Sequence, residues 1–136
     1  MNSAEKFGLA NGYAPSAHKV ILVDFDGVLY PWEPIMSEPD PIPGAVEAMR
    51  RLKAAGFRLV IFTSRLSPTW LAESGYHAGD QLAHIERLLK RDGIPHDDIT
   101  AEKLPAQHYI DDRGLRFHDD WAEIAAFILW TAEAIN

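Results

Sequence analysis

The 136-residue chain contains no cysteine. This absence excludes disulfide bonds, thiolate nucleophiles and cysteine-based zinc sites, and it fits a reducing compartment, so we expect a cytoplasmic protein. The chain also lacks any apolar run of about 18 residues, the length that a membrane-spanning helix needs, so we expect no membrane partner. The segment 1–16 is polar and has no apolar core, and we expect neither an anchor nor a signal peptide there.

Positive charge is scarce in this sequence. There are 13 Lys and Arg residues against 20 Asp and Glu residues, which gives a formal net charge of −7. Such a chain repels a polyanion unless its basic residues gather on one side, so the composition argues against nucleic-acid binding without excluding it. A phosphorylated small molecule, or a phosphate exposed on a larger substrate, needs only a local positive site.

The length and composition indicate one globular domain. A chain of 136 residues with 47% apolar residues can bury one core and has no room for a second domain. Residues 1–17 contain the turn formers Asn11-Gly12 and Pro15-Ser16 without an apolar period, and they predict a flexible N-terminal lead-in. Residues 18–136 are expected to form the domain.

Strand and helix patterns alternate along the domain. Apolar runs predict strands over 20–23, 58–63, 99–100, 107–110 and, at one edge, 115–117. Helical periodicity predicts helices after Pro43-Gly44, over 79–91 and over 121–132, the last as a packing element whose Trp121 and Trp130 are core or interface candidates. This order predicts an α/β fold: a Rossmann-like doubly wound, mainly parallel sheet with helices on both faces and a ligand site beyond the carboxyl ends of the strands.

Pairs of aspartates follow two of the predicted strands. Asp24 and Asp26 come after the first strand, and Asp111 and Asp112 come after 107–110. Burying these charges costs several kcal/mol unless a partner compensates them, and the simplest partner is a divalent cation. Hard oxygen ligands select Mg²⁺ or Ca²⁺, and carboxylates that leave open positions suit Mg²⁺ shared with a phosphate.

The ordered set Asp24-Phe-Asp26-Gly27-Val28, Thr63, Lys103 and Asp111-Asp112 resembles the four motifs of the haloacid dehalogenase-like hydrolases. The resemblance spans about residues 19–118. It implies a Mg²⁺-dependent phosphomonoester hydrolase. The segments 27–43 and 64–79 are too short for a folded cap domain, so we expect a small capless phosphatase.

The residue types fit that chemistry. Asp24 is the expected nucleophile, which forms an aspartyl-phosphate, and Asp26 is the expected general acid and then base. The Thr63 hydroxyl and the Ser64 amide are expected to bind the phosphoryl oxygens, and Lys103 supplies positive charge to phosphate and nucleophile. The expected metal ligands are Asp24, Asp111, the main-chain carbonyl of Asp26 as the resemblance implies, and Asp112 in an outer position or through water.

Loops near the motifs offer further candidates, each with a plainer alternative. Tyr30 and Trp32 are candidates to stack on or exclude the leaving group, or they are tucked into a proline-stiffened loop. Arg65 and Arg113 are candidates to grip a phosphate or a second anionic group, or they are ordinary surface arginines. The loop 67–76, or a neighbouring subunit in a homo-oligomer, is the candidate cover for an otherwise open site.

Two other functions remain open at this stage. A receiver-like regulatory domain also joins an acidic metal site, a Thr and a Lys on a parallel sheet, with little turnover, but it needs no acid or base at Asp26. A phosphatase acting on nucleic-acid ends fits an open site, although the acidic charge argues against it.

Overall fold

The computed structural model describes residues 14–135. The elements of this part of the chain are the strands β1 (Val20–Asp24), β2 (Arg58–Phe62), β3 (Asp98–Thr100) and β4 (His108–Ile110), and the helices α1 (Ala45–Ala54), α2 (Pro68–Ser74), α3 (Ala78–Asp92) and α4 (Trp121–Ile135). All strand pairs are parallel, in the order β3-β2-β1-β4. The predicted α/β fold with a parallel sheet is confirmed.

The two central strands are buried because their residues are apolar on both sides. Side chains alternate across a strand, so Ile21 and Val23 share one face with Leu59 and Ile61 of β2. The apolar stripes of α1 and α3 cover this face with Met49, Ile85, Leu88 and Leu89. This is the main core.

The opposite face of the sheet carries a smaller apolar cluster. Its buried members are Val20, Leu22, Val60 and Ala106, and Phe62 and Leu104 pack against it. The coverage here comes partly from the connection 101–107, which contains no helix. The prediction places helices on both faces, whereas α1 and α3 both pack on the same one, because the two crossovers β1-α1-β2 and β2-α3-β3 step across the sheet in the same direction.

Glycines flank the ends of two helices. α1 begins directly after Gly44, and α3 ends before Gly93, whose positive φ of 66° closes the helix in the left-handed conformation. α1 begins where the sequence predicts, and α3 extends the predicted range 79–91 by one residue at each end, which is the ordinary spread at frayed ends.

Four local predictions need correction. Residues 115–117 do not form an edge strand, and Leu115 and Phe117 are exposed. The segment 67–76 contains α2 and is not an open loop, because Pro68 occupies the first helical turn. α4 leaves most of its apolar side chains exposed and is not a packing element here. Ala17 is fully buried, so the lead-in predicted for 1–17 ends in a packed residue, and its residues 1–13 lie outside the described part.

The strand order favours a ligand site at the carboxyl ends of β1 and β4. β1 pairs with β2 on one side and with β4 on the other, so the chain leaves β1 in one direction and returns to its opposite edge. In open α/β sheets, ligands bind at this switch point beyond the carboxyl ends. Asp24 is the last residue of β1, and Asp111 directly follows β4. Within residues 14–135, none of the helices is long and apolar enough to cross a bilayer.

Candidate active site

Three carboxylates meet at the switch point between β1 and β4. One oxygen from each of Asp24, Asp111 and Asp112 lies within 4.8 Å of the others. The parallel pairing of β1 with β4 brings the two strand ends side by side, although Asp24 and Asp111 are 87 positions apart in the sequence. The two acidic clusters predicted to share one site therefore lie together.

The carboxyl of Asp24 has a raised pKa. Partial burial is the largest cause and, together with the neighbouring charges of Asp111, Asp112 and Asp26, raises this pKa to about 6. A hydrogen bond of 2.8 Å that the Phe25 amide donates to Oδ1 works in the opposite direction. The cluster therefore holds mutually repelling negative charge that a cation would relieve.

The other two carboxylates are oriented by short-range hydrogen bonds. The backbone amide of Arg113 donates to Oδ1 of Asp111 at 2.6 Å, and that of Gly114 donates to the same atom at 3.2 Å. This Asx-type turn fixes Asp111 right after its strand. Asp112 instead accepts a hydrogen bond of 2.9 Å from the indole Nε1 of Trp32 at its Oδ2 atom.

Gly27 lets these groups approach. Its φ of 82° lies in the left-handed region, and a Cβ atom there would collide with Oδ2 of Asp112 and Nε1 of Trp32. Glycine is therefore required both by its backbone conformation and by the space above it.

The carboxylate of Asp26 contacts Arg65 and is not part of the cluster of the other three aspartates. Its two oxygens accept hydrogen bonds from the guanidinium of Arg65, from Nε at 2.8 Å and from Nη2 at 2.7 Å. The side chains of both residues are less than a tenth exposed, so this is a buried bidentate ion pair. The alternative of an ordinary surface arginine is wrong, because the Arg65 side chain is buried and contacts Asp26. Its role in binding a phosphate stays a prediction.

The third nitrogen of the Arg65 guanidinium donates no hydrogen bond to Asp26. Nη1 of Arg65 is buried and has no hydrogen-bond partner within the described protein. The ring of Phe25 lies 5.3 Å from the guanidinium carbon and supplies a cation–π contact. Burial and these contacts hold Arg65 firmly beneath the first acidic motif.

Thr63 and Ser64 follow β2 on the same side of the sheet. Thr63 is buried, and its Oγ1 accepts a hydrogen bond of 3.2 Å from the Arg65 amide at the start of a short 3₁₀ helix, Ser64–Leu66. Ser64 lines the cavity above Asp24. The strand-end position predicted for both residues is thus observed next to the acidic site.

Lys103 lies in the adjacent cavity. That cavity, of about 760 Å³, shares Phe62 and Asp111 with the one above Asp24. The ammonium group is 4.9 Å from the ring centre of Tyr109, and the side chain is exposed. Lys103, the residue predicted to supply positive charge to the phosphate, therefore lies near the acidic cluster. It does not line the cavity above Asp24.

The cavity above Asp24 has an aromatic and basic rim. Its volume is about 430 Å³, and its walls are formed by Asp24, Asp26, Trp32, Phe62, Ser64, Trp70, Asp111 and Arg113. The Arg113 guanidinium lies 5.0 Å from the ring centre of Trp32. Trp70 stacks on Tyr76 with ring centres 5.6 Å apart. Trp32 and Arg113 therefore remain leaving-group and anion candidates, and Trp70 joins them.

Tyr30 does not take part in this rim. It is buried, and its hydroxyl donates to the carbonyl of Leu88 at 3.0 Å and to Oδ2 of Asp92 at 2.7 Å. Its predicted role near the leaving group is wrong for this arrangement, since the ring packs on Phe25 in the core. Sequence reasoning also missed the Asp26–Arg65 pair. The available signal was two opposite charges, each a few residues past the ends of paired strands.

Two solved structures resemble this fold. A conserved protein from Bacteroides thetaiotaomicron is 24% identical, with a TM-score of 0.53 over 82% of this chain and 90% of that one. A crystallised protein target from Vibrio cholerae is 27% identical, with a TM-score of 0.51 over 71% of this chain and 82% of that one. No protein-family model matches the chain. The search of curated proteins gave no match either. The likeness supports the α/β fold.

Proposed function

We propose that the protein is a Mg²⁺-dependent phosphomonoester hydrolase that works through an aspartyl-phosphate on Asp24. The observation that carries this proposal is the meeting of Asp24, Asp111 and Asp112 at the switch point of a parallel sheet. Carboxylates at this edge combine a nucleophile with ligands for a hard cation, which is what phosphoryl transfer requires.

The donor set fits Mg²⁺. Its oxygens are hard ligands from three different carboxylates, and the raised pKa of Asp24 reflects burial and repulsion that a divalent cation would offset. Asp24 and Asp111 would hold the ion, with Asp112 restrained by Trp32 in an outer position. The bound ion would neutralise the charge of a phosphate that otherwise meets a chain of net charge −7.

The chemistry on the protein side has two steps. An oxygen of Asp24 attacks phosphorus, and the bond from phosphorus to the leaving oxygen breaks as that oxygen takes a proton from an acid. Water then attacks the phosphorus of the aspartyl-phosphate, a base removes the water proton, and inorganic phosphate leaves with Asp24 regenerated. Asp26 is the candidate for the acid and the base, since it lines the same cavity.

The ion pair with Arg65 limits how Asp26 can act. Both of its carboxylate oxygens accept hydrogen bonds from the buried guanidinium, so neither oxygen is free to contact a leaving group until this contact loosens. We therefore expect the enzyme to favour substrates whose leaving oxygen needs little protonation, such as aryl phosphates, over alkyl phosphates.

The test is release of inorganic phosphate from p-nitrophenyl phosphate by the purified full chain, with and without Mg²⁺. Turnover that requires Mg²⁺ and stops in excess chelator is the expected result. Unchanged turnover in chelator, or no turnover of aryl or alkyl phosphates at any Mg²⁺ concentration, would overturn the proposal. A second panel of 3′- and 5′-phosphorylated oligonucleotides checks the nucleic-acid alternative, whose activity should fall steeply between low and moderate salt.

A receiver-like domain predicts a different outcome in the same assay. Acetyl phosphate would then leave a stable phosphoprotein without release of phosphate. The pairing of Asp26 with Arg65 gives this alternative its one structural support, since a receiver needs no proton transfer at that position. The hydrolase remains the proposal because Asp24 and Asp26 both line one cavity with the cation ligand Asp111.

A further inference from the structure

The last helix of the chain is apolar on every side. α4 contains only two charged residues among fifteen, Glu123 and Glu133, and no basic residue. A soluble surface helix normally has one apolar stripe and one polar face, and a helix that is apolar all round is normally buried. α1 and α3 have one apolar stripe and one polar face. α4 has the composition of a buried helix, but its apolar side chains are exposed.

Exposed apolar side chains lie on opposite sides of this helix. Trp121 and Ile128 share one side of the helix and are 72% and 50% exposed, whereas Trp130, about half a turn away around the axis, is 63% exposed. Leu129 is 66% exposed between them. Phe127, about a third of a turn from Trp121, is 49% exposed. Contact with one flat surface cannot cover both sides of the helix.

The segment before α4 continues this surface. Leu115 and Phe117 are also nearly half exposed, and the Phe117 ring lies 5.2 Å from that of Trp121. We call the whole set the C-terminal apolar surface; its members are Leu115, Phe117, Trp121, Phe127, Ile128, Leu129 and Trp130. With about 150–250 Å² per aromatic side chain, their exposed fractions amount to roughly 800 Å². Monomeric proteins seldom expose an apolar patch above about 300–600 Å².

We propose that the C-terminal apolar surface is the interface of a homodimer, with α4 of each subunit inserted against α4 and the 115–117 segment of the other. The exposed area matches the approximately 800 Å² per partner that a standard stable interface buries. A two-fold pair uses the same surface twice, so no second kind of partner is needed. Two elements of the partner together can cover both sides of the helix.

The charge pattern argues against a membrane as the occupant. Helices that lie in a bilayer interface have a broad polar face rich in Lys and Arg, which attracts anionic lipids. α4 has no broad polar face and no Lys or Arg, and its two glutamates would be repelled by anionic lipid. A second copy buries the apolar side chains without requiring any positive charge. This proposal is independent of the proposed phosphatase activity.

The first test is the mass of the full chain by analytical ultracentrifugation over a concentration series. The expected species has twice the subunit mass of 15.2 kDa. Leu129→Glu should raise the dissociation constant by at least about 100-fold, because a symmetric pair contains the buried charge twice. Ala83→Glu is the matched control, since it adds the same charge to an exposed position of α3 and should leave the dimer intact.

A second measurement guards against a variant that fails to fold. The chain has no cysteine, so single cysteines can be introduced without background. Glu133→Cys on α4 should give covalent dimers with a short bis-maleimide, whereas Glu73→Cys on α2 should not. A monomeric mass at every concentration would overturn the proposal, as would a dimer that forms cross-links through position 73 and not through position 133.

Discussion

The two halves of the candidate active site differ in how the fold holds them. The core half, which consists of Asp24, Asp26, Thr63 and Arg65, lies at or just after the ends of β1 and β2, the two central strands. All its members except Asp24 are buried. The outer half, Lys103, Asp111, Asp112 and Arg113, follows the shorter strands β3 and β4 and is exposed throughout.

Different forces act on these halves. The core half is fixed by apolar packing and by one desolvated ion pair, so its geometry is present before any ligand arrives. The outer half is fixed by hydrogen bonds near the surface: the Asx-type turn at Asp111 and the contact of Trp32 with Asp112. A cation shared by Asp24 and Asp111 would join the halves, so we expect metal binding to order the outer one.

The largest expected effect comes from the core half. Asp24→Asn keeps the shape of the side chain but removes the nucleophile, so Mg²⁺-dependent turnover of an aryl phosphate should fall at least about 10³-fold. The fold should be retained, because the substitution removes a partly buried, repelled charge. Steady-state kinetics with circular dichroism measures both. Glu73→Gln, an exposed carboxylate on α2, is the control. A loss of less than tenfold would remove Asp24 from its proposed role.

The ion pair within the core half should dominate stability. Arg65→Met leaves Asp26 buried without its partner, which should lower the free energy of unfolding by about 3–5 kcal/mol. Arg58→Met breaks an exposed pair with Asp98, whose side chains are both more than half exposed, and should cost at most about 1 kcal/mol. Urea unfolding compares the variants. Equal losses would mean that the Asp26–Arg65 pair is no more desolvated than the surface pair.

The same division explains what sequence reasoning could reach. The central strands were predictable because continuous apolar runs such as Val20–Val23 are typical of buried parallel strands. The order of the strands in the sheet then places Asp24 and Asp111 at the same edge. The helices were predictable from their periodicity and from Gly44 and Gly93 at their ends. Local signals therefore carried most of the fold.

The misses have a common cause, which is that they depend on contacts distant in sequence. Arg65 is buried only because Asp26, 39 positions away, faces it. Tyr30 is drawn into the core by Leu88 and Asp92, 58 and 62 positions away. The exposure of α4 depends on what else packs around it, since an apolar period alone does not identify the partner. Residues 115–117 alternate like a strand but find no neighbour to pair with in the described structure.

The contact between the halves can be tested at Gly27. Gly27→Ala should separate Trp32 from Asp112, because its Cβ would occupy the space of their hydrogen bond. Gly44→Ala is the matched control, with a similar positive φ of 90° and no atom within 4 Å of the added carbon. The control should lose about 1 kcal/mol of stability from backbone strain, and Gly27→Ala roughly 1–3 kcal/mol more from overpacking. Thermal unfolding with phosphatase activity distinguishes them. Equal losses and unchanged activity would show that the contact is dispensable.

The smallest expected effect is the pH dependence of the cation site. Because burial raises the pKa of Asp24 from its ordinary value of 3.8 to about 6, the folded state binds more protons than the unfolded state between these two pH values. The contribution of Asp24 to stability is therefore fully present at low pH and is lost as the pH rises through 6. Mg²⁺ binds the ionised carboxylate, so the rise in melting temperature that it causes should be larger at pH 7.5 than at pH 5.

Other groups titrate differently, which separates their contributions from that of Asp24. Asp92 and Asp97 have lowered pKa values, because Arg91 and Lys53 respectively hydrogen-bond to them, so they act below this window. Burial lowers the pKa of His84, so its contribution is lost as the pH falls and opposes that of Asp24. Comparing wild type with Asp24→Asn at each pH cancels these groups. A Mg²⁺-induced shift that is the same at both pH values, or that persists in Asp24→Asn, would mean that the cation does not bind to Asp24 and that the two halves are not joined by it.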